Sequence, residues 1–315
     1  MGGKSIDSSE MSNFYDQNAH IRKATNAQQV FTSRYMCDAF NPAKMKLPRE
    51  ACDSADSPRS RGIILAEDVT GSMGCFLLSL IQNEFPRLMP QIYDTVSYDP
   101  HIMFMGVGDV VGDEAPLQVT QFETDLRILE QLQKIWLEQG GCGNGYESYI
   151  LPWYFAAKHT KMDCFEKRGE KGFLFTFGDE GPTPVLTQAH IKSVFGNNDS
   201  LEEARLTGED CLKMASKKFH CYHIMLHGYS YGSKEKANWR KLMGGHLCDL
   251  SDHTCLPELV TTILSMYEGM TKTEALSKIK DDWTRKIVSN ALEFHEETVT
   301  DSNVQNDSKE DIEVF

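Results

Sequence analysis

Asp68-Val69-Thr70-Gly71-Ser72-Met73 places one carboxylate and two hydroxyls within a single turn, directly after the apolar run Ile63-Ile64-Leu65-Ala66. Carboxylate and hydroxyl oxygens are hard donors, the kind that a hard divalent cation takes. The run before Asp68 is short and rich in Ile, as expected of a strand buried on both faces, and helical spacing begins after Ser72. The turn should therefore close a strand and open a helix.

Two further candidate strands end in the same way. One runs into Gly108-Asp109-Val110-Val111-Gly112-Asp113 and the other into Phe177-Gly178-Asp179-Glu180-Gly181. In an open parallel α/β sheet, ligands collect beyond the carboxyl ends of the strands, where the loops converge. Asp68, Asp109 and Asp179 would then share one edge. Between them lies Gly140-Gly141-Cys142-Gly143-Asn144-Gly145, a glycine-rich loop that lets backbone approach a ligand closely. The plainer alternative is that each aspartate only caps a helix. That explains any one of them more readily than all three together.

The elements that must position these residues are legible from periodicity. Strands are expected at Gly62 to Glu67, His101 to Gly108, Gly172 to Phe177, His220 to Leu226 and Leu247 to Leu250, with Leu117 to Phe122 as a short antiparallel edge. Helices are expected at residues 73–85, 125–138, 147–159, 187–195, 234–243 and 256–270. Strands alternating with helices predict an α/β fold, doubly wound, with a mostly parallel central sheet flanked by helices. Residues 1–60 read as an N-terminal arm, 61–270 as the domain, 271–297 as one C-terminal helix, and 298–315 as an acidic disordered tail.

The 315 residues suffice for a substantial core, and their net charge of -14 disfavours nucleic acid and anionic membrane surfaces as main partners. No apolar run approaches the roughly 20 residues that span a bilayer, and the first ten residues carry no signal core, so a cytoplasmic location is expected. The nine cysteines contain no CxxC pair, which suits reduced thiols. His220-Cys221-Tyr222-His223, His246-Leu247-Cys248 and His253-Thr254-Cys255 hold zinc-binding residue types at spacings that match no zinc-finger pattern. Strand alternation with loop histidines accounts for them more simply.

The combination resembles the von Willebrand factor type A domain, with its strand-end D-x-[ST]-x-S at a metal-ion-dependent adhesion site. Asp68, Thr70 and Ser72 match that signature, Asp179 matches the carboxylate after the fourth strand, and Gly141 to Gly145 corresponds to a loop that normally contributes a threonine. Gly108-Asp109, Ala115-Pro116-Leu117-Gln118-Val119 and Glu147-Ser148-Tyr149 extend the likeness to stand-alone, bacterial-type members, over roughly residues 60 to 270. Two positions depart from the pattern. The glycine loop has no threonine, leaving Asn144, Ser148 or a water to fill that place, and Glu67 precedes Asp68 where an apolar residue is usual. Alternation would point Glu67 away from the metal.

The resemblance implies Mg²⁺, or Mn²⁺ or Ca²⁺, held by Asp68, Thr70, Ser72 and Asp179, with Asn144 as a further ligand and Asp109 in the ring behind them. It implies a protein-interaction module that binds a partner's Glu or Asp at an open metal position, with complexes of AAA+ ATPases among its partners. Asp68-Val69-Thr70-Gly71-Ser72 also resembles the D-x-[DT]-G-T of haloacid-dehalogenase-type phosphotransferases, in which the aspartate is the nucleophile. Gly108 to Asp113 imitates their G-D-x-x-x-D, though it follows after only one βα unit, too early for that fold. A third possibility is a scaffold that has lost the metal.

Overall fold

The computed structural model describes residues 6–138, 145–226 and 233–299. Its centre is a six-stranded sheet built from β1 (Ser60–Asp68), β2 (Asp99–Val107), β3 (Leu117–Val119), β4 (Gly172–Gly178), β5 (Phe219–Leu226) and β6 (Leu247–Leu250). The strands lie in the order β6-β5-β4-β1-β2-β3. All neighbours are parallel except β3, which runs antiparallel to β2. The expected fold class is the observed one. Strand order reverses between β1 and β4, so the carboxyl ends of these two strands flank the crevice where a doubly wound sheet takes its ligands.

Both faces of the sheet are covered, which is why β1 is buried along its whole length. Ile63 and Leu65 of β1, with Phe173, Phe175 and Phe177 of β4, pack under α1 (Phe85–Thr95) and α4 (Leu256–Tyr267). Ile64 and Ala66, with Leu174 and Met225, pack under α2 (Ile150–His159) and α3 (Ser233–Met243). The period of two places Glu67 on the first face and Asp68 on the second.

Residues read from sequence as an arm contribute Met11, Phe14, Tyr15, Ile21 and Phe31 to the first of these cores. Tyr15 has a specific task there. The helical run from Gly74 reaches Thr95, well past the expected end at Phe85, through a π-turn at Leu80–Glu84. In that register the Ile81 carbonyl would accept from residue 86, but Pro86 has no N–H. The Tyr15 hydroxyl donates to the Ile81 carbonyl instead.

Two other expected helices also differ from those observed. Residues 125–138 form a helix only over Arg127–Leu132. Beyond it, the buried side-chain amide of Gln118 on β3 pairs with the backbone of Trp136, accepting its N–H at 2.9 Å and donating to its carbonyl at 2.8 Å. Residues 271–297 form two helices, Lys272–Ser277 and Asp282–Ala291, because each has its own cap: Thr271 with Glu274, then Asp281 accepting from the Thr284 N–H. The chain after the second is tied to β5 by a 2.7 Å bond between the Tyr222 hydroxyl and His295 Nε2. The helix Gly208–Ala215 was not anticipated. The tail from residue 300 lies outside the described residues, and no described helix is long and apolar enough to cross a membrane.

Candidate metal centre

β1 and β4 end almost level, with Glu67 opposite Phe177. The next residues on each strand therefore meet. Asp68 Oδ1 accepts from the Thr70 N–H at 2.9 Å and from the Thr70 hydroxyl at 2.6 Å. This local turn holds the backbone extended at Thr70 before the 3-10 turn Gly71–Met73 begins. Ser72, one residue into that turn, sends its hydroxyl across the crevice to Asp179 Oδ1 at 3.3 Å. Asp68 and Asp179 are almost fully buried, whereas Ser72 is exposed.

Among the described residues, Asp179 Oδ2 is buried with no hydrogen-bond partner. Burial pushes the Asp179 carboxyl up. Burial likewise pushes Asp68 up to about 7, against the pull of the hydrogen bonds from Thr70 and Tyr149, and the Asp179 charge adds to the rise. Glu147 is pushed up to about 10, first by burial and then by the charges of Asp68, Asp113, Asp109 and Glu180. Asp68, Glu147 and Asp179 thus crowd buried carboxyls whose protons are held more tightly than in water, and a bound cation would have to displace them.

Two oxygen pairs here have spacings close to those within a cation's coordination shell. An octahedral Mg²⁺ with ligands at about 2.1 Å sets neighbouring oxygens about 3.0 Å apart. The Asp68–Thr70 and Ser72–Asp179 oxygen pairs, at 2.6 and 3.3 Å, bracket that spacing. Among the described residues no group of three or more His, Cys, Asp or Glu side chains is placed to hold a metal, so a cation here would need the Thr70 and Ser72 hydroxyls beside the two aspartates. The same finding removes the imagined zinc cluster, since Cys221 and Cys248 are buried in separate cores.

Other candidate residues have different surroundings. Asp109 is buried and builds its own loop: its Oδ1 accepts from the Val111 N–H at 3.0 Å, and its N–H donates to Asp113 Oδ2 at 2.7 Å. Ser148 is committed elsewhere, accepting from the Val110 N–H at 2.8 Å and bonding Thr183 Oγ1 at 3.1 Å. Asn144 and the glycine run before it lie outside the described residues. Glu67 is buried on the face opposite Asp68, where burial holds its carboxyl well above the usual range.

One residue at the centre of the site was named from sequence only within Glu147-Ser148-Tyr149, with no role given to it. The Tyr149 hydroxyl donates to Asp68 Oδ2 at 2.7 Å and accepts from the Glu180 N–H at 3.4 Å. Its ring lies against Gly178, where an added Cβ would fall 1.8 Å from the phenol oxygen. A glycine immediately before the strand-end aspartate is the one sequence signal of this close approach.

No family model matches the chain, and no curated protein sequence matches it. Among solved structures it is similar to the pilus adhesin SpaC from Lactobacillus rhamnosus GG in its open conformation, at 10% identity and a TM-score of 0.44, over 68% of this chain and 31% of that one. It is also similar to a von Willebrand factor type A protein from Catenulispora acidiphila, at 11% identity and a TM-score of 0.34, over 70% of this chain and 48% of that one. The chain thus spans less than half the length of either structure. The fold rests on the strand order given above.

Proposed function

We propose that this protein is a metal-dependent protein-interaction module: Asp68, Thr70, Ser72 and Asp179 hold Mg²⁺, or Mn²⁺ or Ca²⁺, and a Glu or Asp of a partner completes its coordination. The observation that carries this reading is the Ser72–Asp179 approach at 3.3 Å beside the orphaned Asp179 Oδ2. A bound cation would supply an electrophilic centre, since Mg²⁺ commonly keeps waters that an incoming carboxylate can replace. Exposed Ser72 above buried Asp68 and Asp179 leaves the approach on the Ser72 side.

Phosphotransfer through Asp68 is the competing reading, and the surroundings of the second motif weigh against it. The Gly108–Asp113 loop spends its carboxylates on its own backbone.

Calorimetric titration with Mg²⁺ and Mn²⁺, comparing the native chain with Asp68→Ala and Asp179→Ala, tests the metal module. Binding should be lost in both variants, and unchanged affinity in both would falsify the site. Mg²⁺-dependent hydrolysis of a generic phosphate ester, with beryllofluoride trapped on Asp68, would favour the enzyme. A partner captured in Mg²⁺, lost in EDTA and lost again with Thr70→Ala would be tied to this centre.

A further inference from the structure

Tyr149 has no role in the reading above, yet its hydroxyl contacts both Asp68 and the Glu180 backbone. It stands just before α2, and its side chain is fully buried. The phenol lies between the two strand ends that make the site: it donates to Asp68 Oδ2, after β1, and accepts from the Glu180 N–H, after β4.

The ring cannot swing away from this position. Gly178 lies beneath it with no room for a Cβ, and Trp239 and His223 stand edge-on to it with ring centroids at 5.5 and 5.1 Å. Those two are locked in turn. They stack on each other at 3.5 Å, Trp239 donates to the Glu180 carbonyl at 2.9 Å, and His223 bonds the Thr176 hydroxyl at 2.9 Å. β5 and α3 therefore hold Tyr149 and Glu180 as one unit.

A carboxylate with two equivalent oxygens can turn about its last torsion. Asp68 is denied that freedom, because a single phenol proton takes Oδ2 and the Thr70 turn takes Oδ1. We infer that Tyr149 is the positioning residue of the metal centre, its hydroxyl fixing Asp68 Oδ2 so that Oδ1 faces Thr70 and the cation. This inference rests on the metal reading above. A hydrogen-bond partner standing behind a metal ligand typically sets affinity over a range of about 10–100-fold.

The test is titration of the full chain with Mg²⁺, followed by calorimetry and by near-ultraviolet difference absorbance of tyrosine, for the native protein and Tyr149→Phe. Melting of both in EDTA reports the fold alone. Native protein should bind with a tyrosine difference band, and Tyr149→Phe should melt close to native in EDTA yet bind on the order of 10–100-fold more weakly and without the band. Equal affinity in a folded Tyr149→Phe overturns the role of Tyr149 and leaves the metal centre standing. Absence of Mg²⁺ binding to the native chain overturns both. Should the variant fail to fold, the native spectrum decides: binding without any tyrosine perturbation overturns the inference, and binding with it supports the inference.

Discussion

Ser72 Oγ and Asp179 Oδ1 lie 3.3 Å apart although 107 residues separate them in the chain. This contact joins the turn after β1 to the turn after β4, the two strands between which the sheet reverses its order. Asp179 answers Ser72 with one oxygen, and its other is buried with no partner among the described residues.

That unpaired oxygen sets opposite signs for stability and binding in one variant. An unsatisfied buried acceptor costs about 1–3 kcal/mol, and removing the charge relieves part of it. Asp179→Asn should therefore melt at or above the native temperature in EDTA, while losing Mg²⁺ affinity at least about tenfold. Scanning calorimetry with and without Mg²⁺ reads both. A variant that melts lower in EDTA and binds Mg²⁺ normally would contradict the assignment.

Thr70 donates its hydroxyl to Asp68 and, in the proposed centre, would offer the same oxygen to the cation. Thr70→Ala should cost about 1 kcal/mol in the metal-free protein, the usual worth of one such hydrogen bond, and should weaken Mg²⁺ binding. Thr70→Ser keeps the oxygen and should restore binding. Urea unfolding in EDTA and a Mg²⁺ titration of both variants check this, and a Ser variant no better than Ala would count against the hydroxyl.

Gly178 offers a steric test away from the ligands. A Cβ there would meet the Tyr149 hydroxyl at 1.8 Å, so Gly178→Ala must displace the ring or the strand. Overpacking of this kind costs about 1–3 kcal/mol. Unfolding in urea should show a lower midpoint, and an unchanged midpoint would mean the crevice is looser than described.

The buried imidazoles make a contribution to stability that falls toward acid, opposite in sign to that of the buried Glu67, Asp68 and Glu147 carboxyls, whose values burial raises. Burial holds His223 well below the usual histidine range, and holds His295 down as well. Both stay neutral in the fold, whereas unfolded histidine takes a proton below about pH 6.5. Their contribution is therefore fully present above that pH and is lost as pH falls below it toward their depressed folded values. His223→Phe, which keeps a ring against Trp239, should lose less stability than native between pH 7 and pH 5, as measured by chemical unfolding at each pH. An identical slope would remove His223 from the account.

Tyr15 makes a prediction about the N-terminal segment. Its hydroxyl supplies the donor that Pro86 denies the Ile81 carbonyl. Tyr15→Phe leaves that carbonyl buried and unpaired, at a cost of about 1–3 kcal/mol. The loss should appear in the urea midpoint, and a neutral substitution would mean that another donor serves the π-turn.

Sequence and structure agree where local patterning is strong. The run before Asp68 and the run before Asp179 are apolar on both faces, so their strand ends, and the oxygens of Asp68, Thr70, Ser72 and Asp179 beyond them, could be placed on one edge. What escaped the sequence depends on partners far along the chain. Leu126, Leu129, Leu132 and Trp136 keep helical spacing, but Gln118 captures the backbone at Trp136 and ends the helix early. Tyr149 enters the sequence reading only as part of Glu147-Ser148-Tyr149 and of the helix expected over 147–159, because nothing local shows that Gly178 opens a slot for its hydroxyl.

The central pairing of β1 with β4 also governs how the chain is made. Synthesis at about 5–20 residues per second leaves Asp68 waiting on the order of 5–20 seconds for Asp179 to be translated. Throughout that interval the inner edge of β1, with Ile63, Ile64 and Leu65, has no strand beside it on that side. The nascent chain thus carries an open apolar edge until more than half of it has been synthesised, and that edge is where self-association or chaperone capture would begin.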